Sequence, residues 1–346
     1  MRLLKYLLSD NYKYPLIRKI SVQNQLNVMQ RISLAIHGGA GTILRETMTP
    51  AMEKDYRAGL QEALNAGYLV LENGGTSVMA VKTAIMHMED NPLFNAGKGS
   101  VYNKMGLNEM DAAIMDGKNL EAGSVASVRN VRNPIELAEQ VMMYSGHVFL
   151  SGKGAHDFAI KQGIKMESDE YFHTKNRYDQ WKEMKESDLF QLDHAPGTIR
   201  VESKDNKFGT VGAVACDVKG NIAAATSTGG MTNKQFGRIG DSPMIGAGTY
   251  ANNKTCAISC TGHGEIFIRA VAAYDVSCLM EYKNMSIKEA CEEVVDRKLV
   301  AMHGEGGMIG MDAKGNAALV FNSAGMYRGL KNSEGVNMIA IYSDIK

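Results

Sequence analysis

At residue 209 the chain changes character within two positions. Residues 164–208 are polar and charged, hold the only tryptophan, Trp181, and show almost no apolar periodicity, whereas Val211 to Cys216 is an unbroken run of small and apolar residues. Such a run is what a strand buried on both faces looks like. The boundary, Phe208-Gly209-Thr210-Val211-Gly212, places a threonine at the mouth of that strand. A threonine hydroxyl is a weak nucleophile until a base stands beside it, and the catalytic variant built on threonine takes its own α-amino group as that base. With a reference pKa of about 7.7–8.0, an α-amino group is partly unprotonated at neutral pH. Obtaining it requires cutting the Gly209–Thr210 bond, and glycine tolerates the strained backbone such an attack needs. Gly-Thr ahead of a strand is, by itself, an ordinary strand start, so the rest of the chain has to decide.

The length of 346 residues admits one large or two ordinary domains with a sizeable core. Lys and Arg number 38 against 38 Asp and Glu, which leaves no global field for nucleic acid or an anionic membrane. No apolar run approaches the roughly 18–20 residues of a membrane span, and Met1 to Leu8 is too short and broken for a signal sequence. The five cysteines (Cys216, Cys256, Cys260, Cys278, Cys291) form no CxxC pair, and they fit reduced thiols in a cytoplasmic protein. Glycine is the outlier, at 36 residues against roughly 7% on average.

Residues 1–30 read as a poorly ordered leader, with Met29 just ahead of the first strand, Ile32 to Ile36. Apolar spacing from Tyr56 predicts a helix ended by Gly74-Gly75, then a second capped by Thr76-Ser77 and running through Met88. Segments 111–115 and 124–128 read as strands, Pro134 opens a helix to Tyr144, and 164–208 reads as a mobile connector. Asp217-Val218-Lys219-Gly220-Asn221 is echoed by Asp312-Ala313-Lys314-Gly315-Asn316, which predicts two hairpins of one sheet. Helices are expected over 265–282 and 287–300, packed on that sheet. Blocks of strands and helices without strict alternation favour layered sheets covered by helices.

Several signals fail. The glycine-rich stretches 38–42 and 97–100 match neither the P-loop nor the dinucleotide spacing. The eight histidines show no HExxH and no zinc spacing, and no G-x-S-x-G elbow is present. His263, in a glycine-rich turn, reads equally as a substrate neighbour or an exposed turn residue.

The segments that decide are Ile36-His37-Gly38-Gly39-Ala40-Gly41, Asn91-Pro92-Leu93-Phe94-Asn95-Ala96-Gly97-Lys98-Gly99-Ser100, and Glu109 to Gly117. Gly209-Thr210-Val211-Gly212, Ala225 to Lys234, Gly237 to Pro243 and Thr261-Gly262-His263-Gly264-Glu265 follow. In order and spacing the chain from about Ile32 onward resembles the plant-type asparaginase and isoaspartyl peptidase family of N-terminal-nucleophile hydrolases. The resemblance implies an α+β fold, a four-layer αββα sandwich. It also implies a precursor that cuts itself into an α subunit (31–209) and a β subunit (210–346), with the cleavage site at Gly209 and Thr210.

By the same resemblance Thr210 is the nucleophile and Thr228 a threonine that tunes it. Thr261 and Gly262 form the oxyanion hole, Arg238 clamps a substrate α-carboxylate, Asp241 holds an α-ammonium, and Gly264 lines the substrate turn. Read bare, Arg238 and Asp241 would be a surface ion pair. Catalysis then needs no cofactor, while the loop from Met88 to Lys98 resembles a sodium-binding loop whose ligands are the carbonyls of Met88, Glu89, Asn91, Phe94, Ala96 and Lys98. Carbonyl oxygens suit a hard cation. Asn95 is expected to reach the nucleophile. The expected partners are a small amino acid or dipeptide substrate and a second αβ unit, with neither nucleic acid nor membrane. The expected activity is hydrolysis of L-asparagine and β-aspartyl dipeptides. The competing readings are a glycosylasparaginase and a non-catalytic amino-acid-binding relative.

Overall fold

A computed structural model describes residues 31–185 and 209–343. The expected leader (1–30) and the connector residues 186–208 lie outside the described residues. In chain order the strands are β1 (Ser33–Gly41), β2 (Met110–Asp116), β3 (Ala122–Val128), β4 (Phe149–Ser151), β5 (Val211–Cys216) and β6 (Ile222–Thr228). They continue as β7 (Thr249–Ala251), β8 (Cys256–Gly262), β9 (Gly306–Asp312), β10 (Ala317–Phe321), β11 (Gly325–Asn332) and β12 (Asn337–Tyr342). The helices are α1 (Pro50–Glu72), α2 (Ser77–Asp90), α3 (Pro134–Tyr144), α4 (Gly152–Lys161), α5 (Asp169–Phe172), α6 (Lys175–Lys185), α7 (Gly264–Ala270), α8 (Ala272–Lys283) and α9 (Ile287–Glu292). This is an α+β chain. Among the described residues no helix is long and apolar enough to cross a membrane.

The helix ends follow local chemistry. Thr49 Oγ1 accepts from Met52 N ahead of Pro50, so α1 starts a turn earlier than its apolar spacing indicates. Thr76 caps α2 in the same way through Met79 N. The helix expected over 265–282 is broken at Val271, whose left-handed φ of 50° lets Ala273 and Tyr274 N–H donate to Ala247 and Gly246 carbonyls.

One sheet has the strand order β12-β11-β1-β5-β6-β2-β3-β4, and the other β10-β9-β8-β7. The two echoed turns are alike in detail. Asp217 Oδ1 accepts from Lys219 N and Asn221 N, and Asp312 Oδ1 accepts from Lys314 N and Asn316 N. Yet the hairpins they close, β5–β6 and β9–β10, lie in different sheets, which corrects the expectation of one sheet. The turn sets local geometry, while the flanking strands choose their neighbours.

Helices α1 and α2 pack on one face of the larger sheet, burying Leu60, Leu64, Val81 and Ile85 against Leu34, Ile36 and Ala213. The opposite face meets the smaller sheet through Ala35, Val214, Ala224, Ala257 and Ile309. Ile287, Cys291, Val276 and Phe267 cover the far side of that second sheet. The five cysteines are free thiols.

The connector reading is corrected for its first part. Residues 169–172 and 175–185 are helical, Trp181 is buried against Tyr102 and Tyr178, and buried Arg177 donates from Nε to Gly99 O at 2.9 Å. Those few anchors sit among charged neighbours, so no apolar stripe announced them.

Candidate active site

Strand β5 begins with Val211 and runs between β1 and β6, which places Thr210 just beyond its end and opposite the end of β6. Thr210 Oγ1 donates to Thr228 Oγ1 at 3.2 Å, and Thr228 Oγ1 donates to the Gly209 carbonyl at 2.9 Å. Asn95 Nδ2 donates to the same carbonyl at 2.9 Å and to Gly230 O at 2.8 Å. The carbonyl of the Gly209–Thr210 bond thus has two donors on its oxygen and a hydroxyl chain starting at the next residue. Thr210 and Thr228 are both buried.

Asn95 belongs to the loop that follows α2. Its Oδ1 accepts from Val101 N, and its backbone carbonyl accepts from Gly229 N. The loop curls so tightly that a Cβ on Gly97 would stand 2.4 Å from Glu89 O, and one on Gly99 would stand 2.1 Å from Phe94 O and 2.6 Å from Pro92 O. Glu89 adds a side-chain role that sequence reading missed. Its buried carboxyl accepts from Ser227 Oγ at 2.6 Å and Ile135 N at 3.0 Å, tying the end of α2 to β6 beside Thr228.

Strand β8 ends on Thr261 and Gly262. Thr261 Oγ1 accepts from Ala40 N at 3.3 Å, which leaves its own proton for another acceptor. Gly262 has φ 145°, and a Cβ there would stand 2.4 Å from Glu305 O, so the turn requires glycine.

Arg238, Asp241 and Gly264 meet in one place. A Cβ on Gly264 would lie 2.8 Å from Arg238 Nη2 and 2.9 Å from Asp241 Oδ1. The bidentate partner of Arg238 is Glu265, with Nε to Oε1 and Nη2 to Oε2 both 2.9 Å, a contact that the short Arg238–Asp241 spacing gave no hint of. Asp241 is buried, and its Oδ2 has no hydrogen-bond partner among the described residues. Burial pushes its carboxyl up to about 7, partly offset by its own backbone N–H and by Arg238. His263, half-buried, stands 3.9 Å from Glu265 Oε2, and burial lowers its pKa.

The structure therefore brings the sequence-derived residues into two clusters. Gly209, Thr210, Thr228 and Asn95 form one, and Arg238, Asp241 and Gly264 form the other. The turn Thr261–Glu265 runs from the end of β8 into the second cluster. His37, in the Ile36–Gly41 motif, is a further residue at this site, with no role legible in the sequence. Its Nδ1 is 3.1 Å from Thr210 O and its Nε2 is 3.0 Å from Ser259 Oγ.

This arrangement of a strand-mouth threonine, a restrained preceding carbonyl and an Arg/Asp cluster accords with a family model described as Asparaginase, which matches residues 29–341, and the chain belongs to that family. It is 49% identical over 300 residues to an isoaspartyl peptidase of Salmonella typhimurium, covering 87% of this chain and 95% of that protein. To the isoaspartyl peptidase of Escherichia coli it is 48% identical, covering 87% and 92%. To the human isoaspartyl peptidase/L-asparaginase it is 39% identical over 298 residues, covering 86% and 92%.

Proposed function

We propose that the chain is a self-cleaving hydrolase of L-asparagine and β-aspartyl (isoaspartyl) dipeptides, with Thr210 as its nucleophile. The observation that carries this reading is the Gly209 carbonyl, polarised by Thr228 Oγ1 and Asn95 Nδ2 with Thr210 Oγ1 alongside.

In the first reaction Thr210 Oγ attacks the Gly209 carbonyl carbon, and the two donors take up the charge on its oxygen. The C–N bond breaks as the hydroxyl proton passes to the departing Thr210 nitrogen, leaving an ester between Gly209 and Thr210 Oγ. Water hydrolyses that ester to give the Gly209 carboxylate and a free Thr210 amine. In the second reaction the amine accepts the Oγ proton while Oγ attacks the substrate's side-chain carbonyl. Thr261 Oγ–H and Gly262 N–H receive the developing charge. Ammonia or an amino acid leaves with the proton, and water cleaves the β-aspartyl ester.

Substrate selection follows from charge. Arg238, held in plane by Glu265, meets the α-carboxylate through its remaining N–H groups. The unpartnered Oδ2 of Asp241 meets the α-ammonium, and glycine at 264 leaves room between the two. The four-layer αββα reading is supported by two sheets meeting face to face, with helices on both outer faces.

The crowding of carbonyls around Gly97 and Gly99 fits a structural sodium held by Met88, Glu89, Asn91, Phe94, Ala96 and Lys98. Bound there, the ion would neutralise converging carbonyl dipoles and stiffen the loop that carries Asn95. We also propose association of the cleaved subunits, supported by the shared sheet on which β1 and β5 pair, and a cytoplasmic location, supported by the unpaired thiols; a dimer of αβ units is proposed from the family resemblance alone.

The test is product analysis with asparagine, β-aspartyl-leucine and a glycosylated asparagine. Ammonia from the first and leucine from the second are expected. Release of N-acetylglucosamine in preference to both would place the chain with the glycosylasparaginases instead.

A further inference from the structure

On β1, β5 and β6 the side chains of Ala35, Val214 and Ala224 point into the layer between the two sheets. Two residues along each strand, in the same orientation, stand His37, Gly212 and Thr226, which are direct neighbours across the sheet. Facing them on the smaller sheet are Ser259 and Thr249, themselves a cross-strand pair. Glycine at 212 opens the space in which these groups meet, since a Cβ there would lie 2.0 Å from His37 Nε2 and 2.1 Å from Ser259 Oγ. All four polar residues are fully buried.

The Thr210 carbonyl sets the direction of the hydrogen bonds that lead to it. The Thr210 carbonyl can only accept, so the 3.1 Å contact puts the proton on His37 Nδ1. Burial holds the ring neutral, its pKa pushed down to about 3, so Nε2 carries a lone pair and accepts from Ser259 Oγ. Ser259 has then spent its proton and accepts from Thr226 Oγ1 at 2.6 Å. Thr226 in turn accepts from Thr249 Oγ1 at 2.6 Å. Thr249 Oγ1 shares its one proton with a second acceptor, donating also to Ser242 O at 3.0 Å, next to Asp241, and Thr226 Oγ1 likewise donates also to Gly248 O at 3.3 Å, the glycine whose Cβ would meet Asp241 O at 2.5 Å.

We infer that Thr249, Thr226, Ser259 and His37 form a one-way hydrogen-bond chain that couples the Asp241–Ser242 segment of the substrate cluster to the backbone of Thr210. They act as positioning residues for both. Each hydroxyl donates toward the nucleophile, and donors in series polarise one another, which firms the last bond to the Thr210 carbonyl. The inference rests on the self-cleavage reading.

Cleavage of the full-length chain is intramolecular and needs no substrate, so it reports on the chain's far end without involving the substrate cluster in binding. Wild-type cleavage tests the function, and variants relative to wild type test the coupling. Thr249→Val is expected to slow cleavage about tenfold, and Thr249→Ser to restore it within about twofold. His37→Asn should slow it comparably, and the double variant His37→Asn/Thr249→Val should be no slower than His37→Asn alone. A folded Thr249→Val chain that cleaves at the wild-type rate, or a double variant whose slowing is the product of the two, overturns the coupling. If Thr249→Val does not fold, nitrogen NMR of histidine in the uncut Thr210→Ala chain decides. His37 protonated at Nδ1 and bare at Nε2 supports the direction derived above, and the opposite tautomer overturns it.

Discussion

Thr228 stands between the nucleophile and the bond it is proposed to cut. It accepts from Thr210 Oγ1 and from Gly230 N while donating to Gly209 O. Thr228→Val keeps the shape of the side chain and removes the donor, so self-cleavage should slow by about 10²- to 10³-fold, the usual cost of one oxyanion donor. Thr228→Ser should retain most of the rate. A time course on a denaturing gel measures both, and an unslowed Thr228→Val chain would remove Thr228 from the mechanism. Asp241 makes a prediction in pH. Its folded pKa is raised to about 7, whereas an unfolded aspartate titrates near 3.9. Between those values the folded chain keeps a proton that the unfolded chain has released, so this group's contribution to stability falls as pH rises from about 4 to about 7. In the uncut Thr210→Ala background, Asp241→Asn should melt with its parent near pH 4 and above it at pH 8. Parallel melting curves at both pH values would contradict the burial argument. At this scale the family resemblance named Thr210, Thr228 and Gly264, and the structure sets Thr210 Oγ1 against Thr228 Oγ1 and Gly264 against Arg238 and Asp241. The sequence was silent on Glu265 and on the Glu89 carboxyl, whose partners lie 27 and 138 residues away in the chain.

Among the elements, β5 is tightly constrained. It is buried along its whole length, and at Gly212 it has no room for a side chain. Gly212→Ala should destabilise the uncut chain by roughly 3 kcal/mol, the upper end of ordinary overpacking costs, read from urea denaturation. A loss below about 0.5 kcal/mol would mean that the His37–Ser259 contact above it is not fixed. The loop after α2 makes the second prediction. If its carbonyls hold sodium, the melting temperature should rise when sodium chloride replaces choline chloride at equal ionic strength. An unchanged melting temperature would leave the loop held by its own hydrogen bonds. Apolar spacing placed the body of α1 from Tyr56, the Thr76-Ser77 cap placed α2, and the Asp217–Asn221 turn placed the β5–β6 hairpin, because those elements carry their signal locally. That local signal could not assign the two echoed hairpins to different sheets, since Asp217 and Asp312 close their turns with the same bonds whatever lies beside them. Nor could it foresee the break at Val271, where a β-branched residue takes a left-handed backbone that only the surrounding structure enforces.

For the molecule as a whole, β5 lies in the sheet between β1 and β6, so strands from both sides of residue 209 share one hydrogen-bonded layer. Cutting one bond at the mouth of β5 would therefore leave both pieces in a common core, and the balanced charge of the chain suits the proposed recognition of a small zwitterion by local groups. Everything proposed for Thr210 depends on the cut itself. Intact-mass and N-terminal sequence measurement on the purified protein, wild type beside Thr210→Ala, tests it directly. The wild type should give a fragment beginning Thr210-Val211-Gly212, and the variant a single uncut chain. A wild-type chain that hydrolyses asparagine while uncut, or a Thr210→Ala chain cleaved at the same bond, would contradict it.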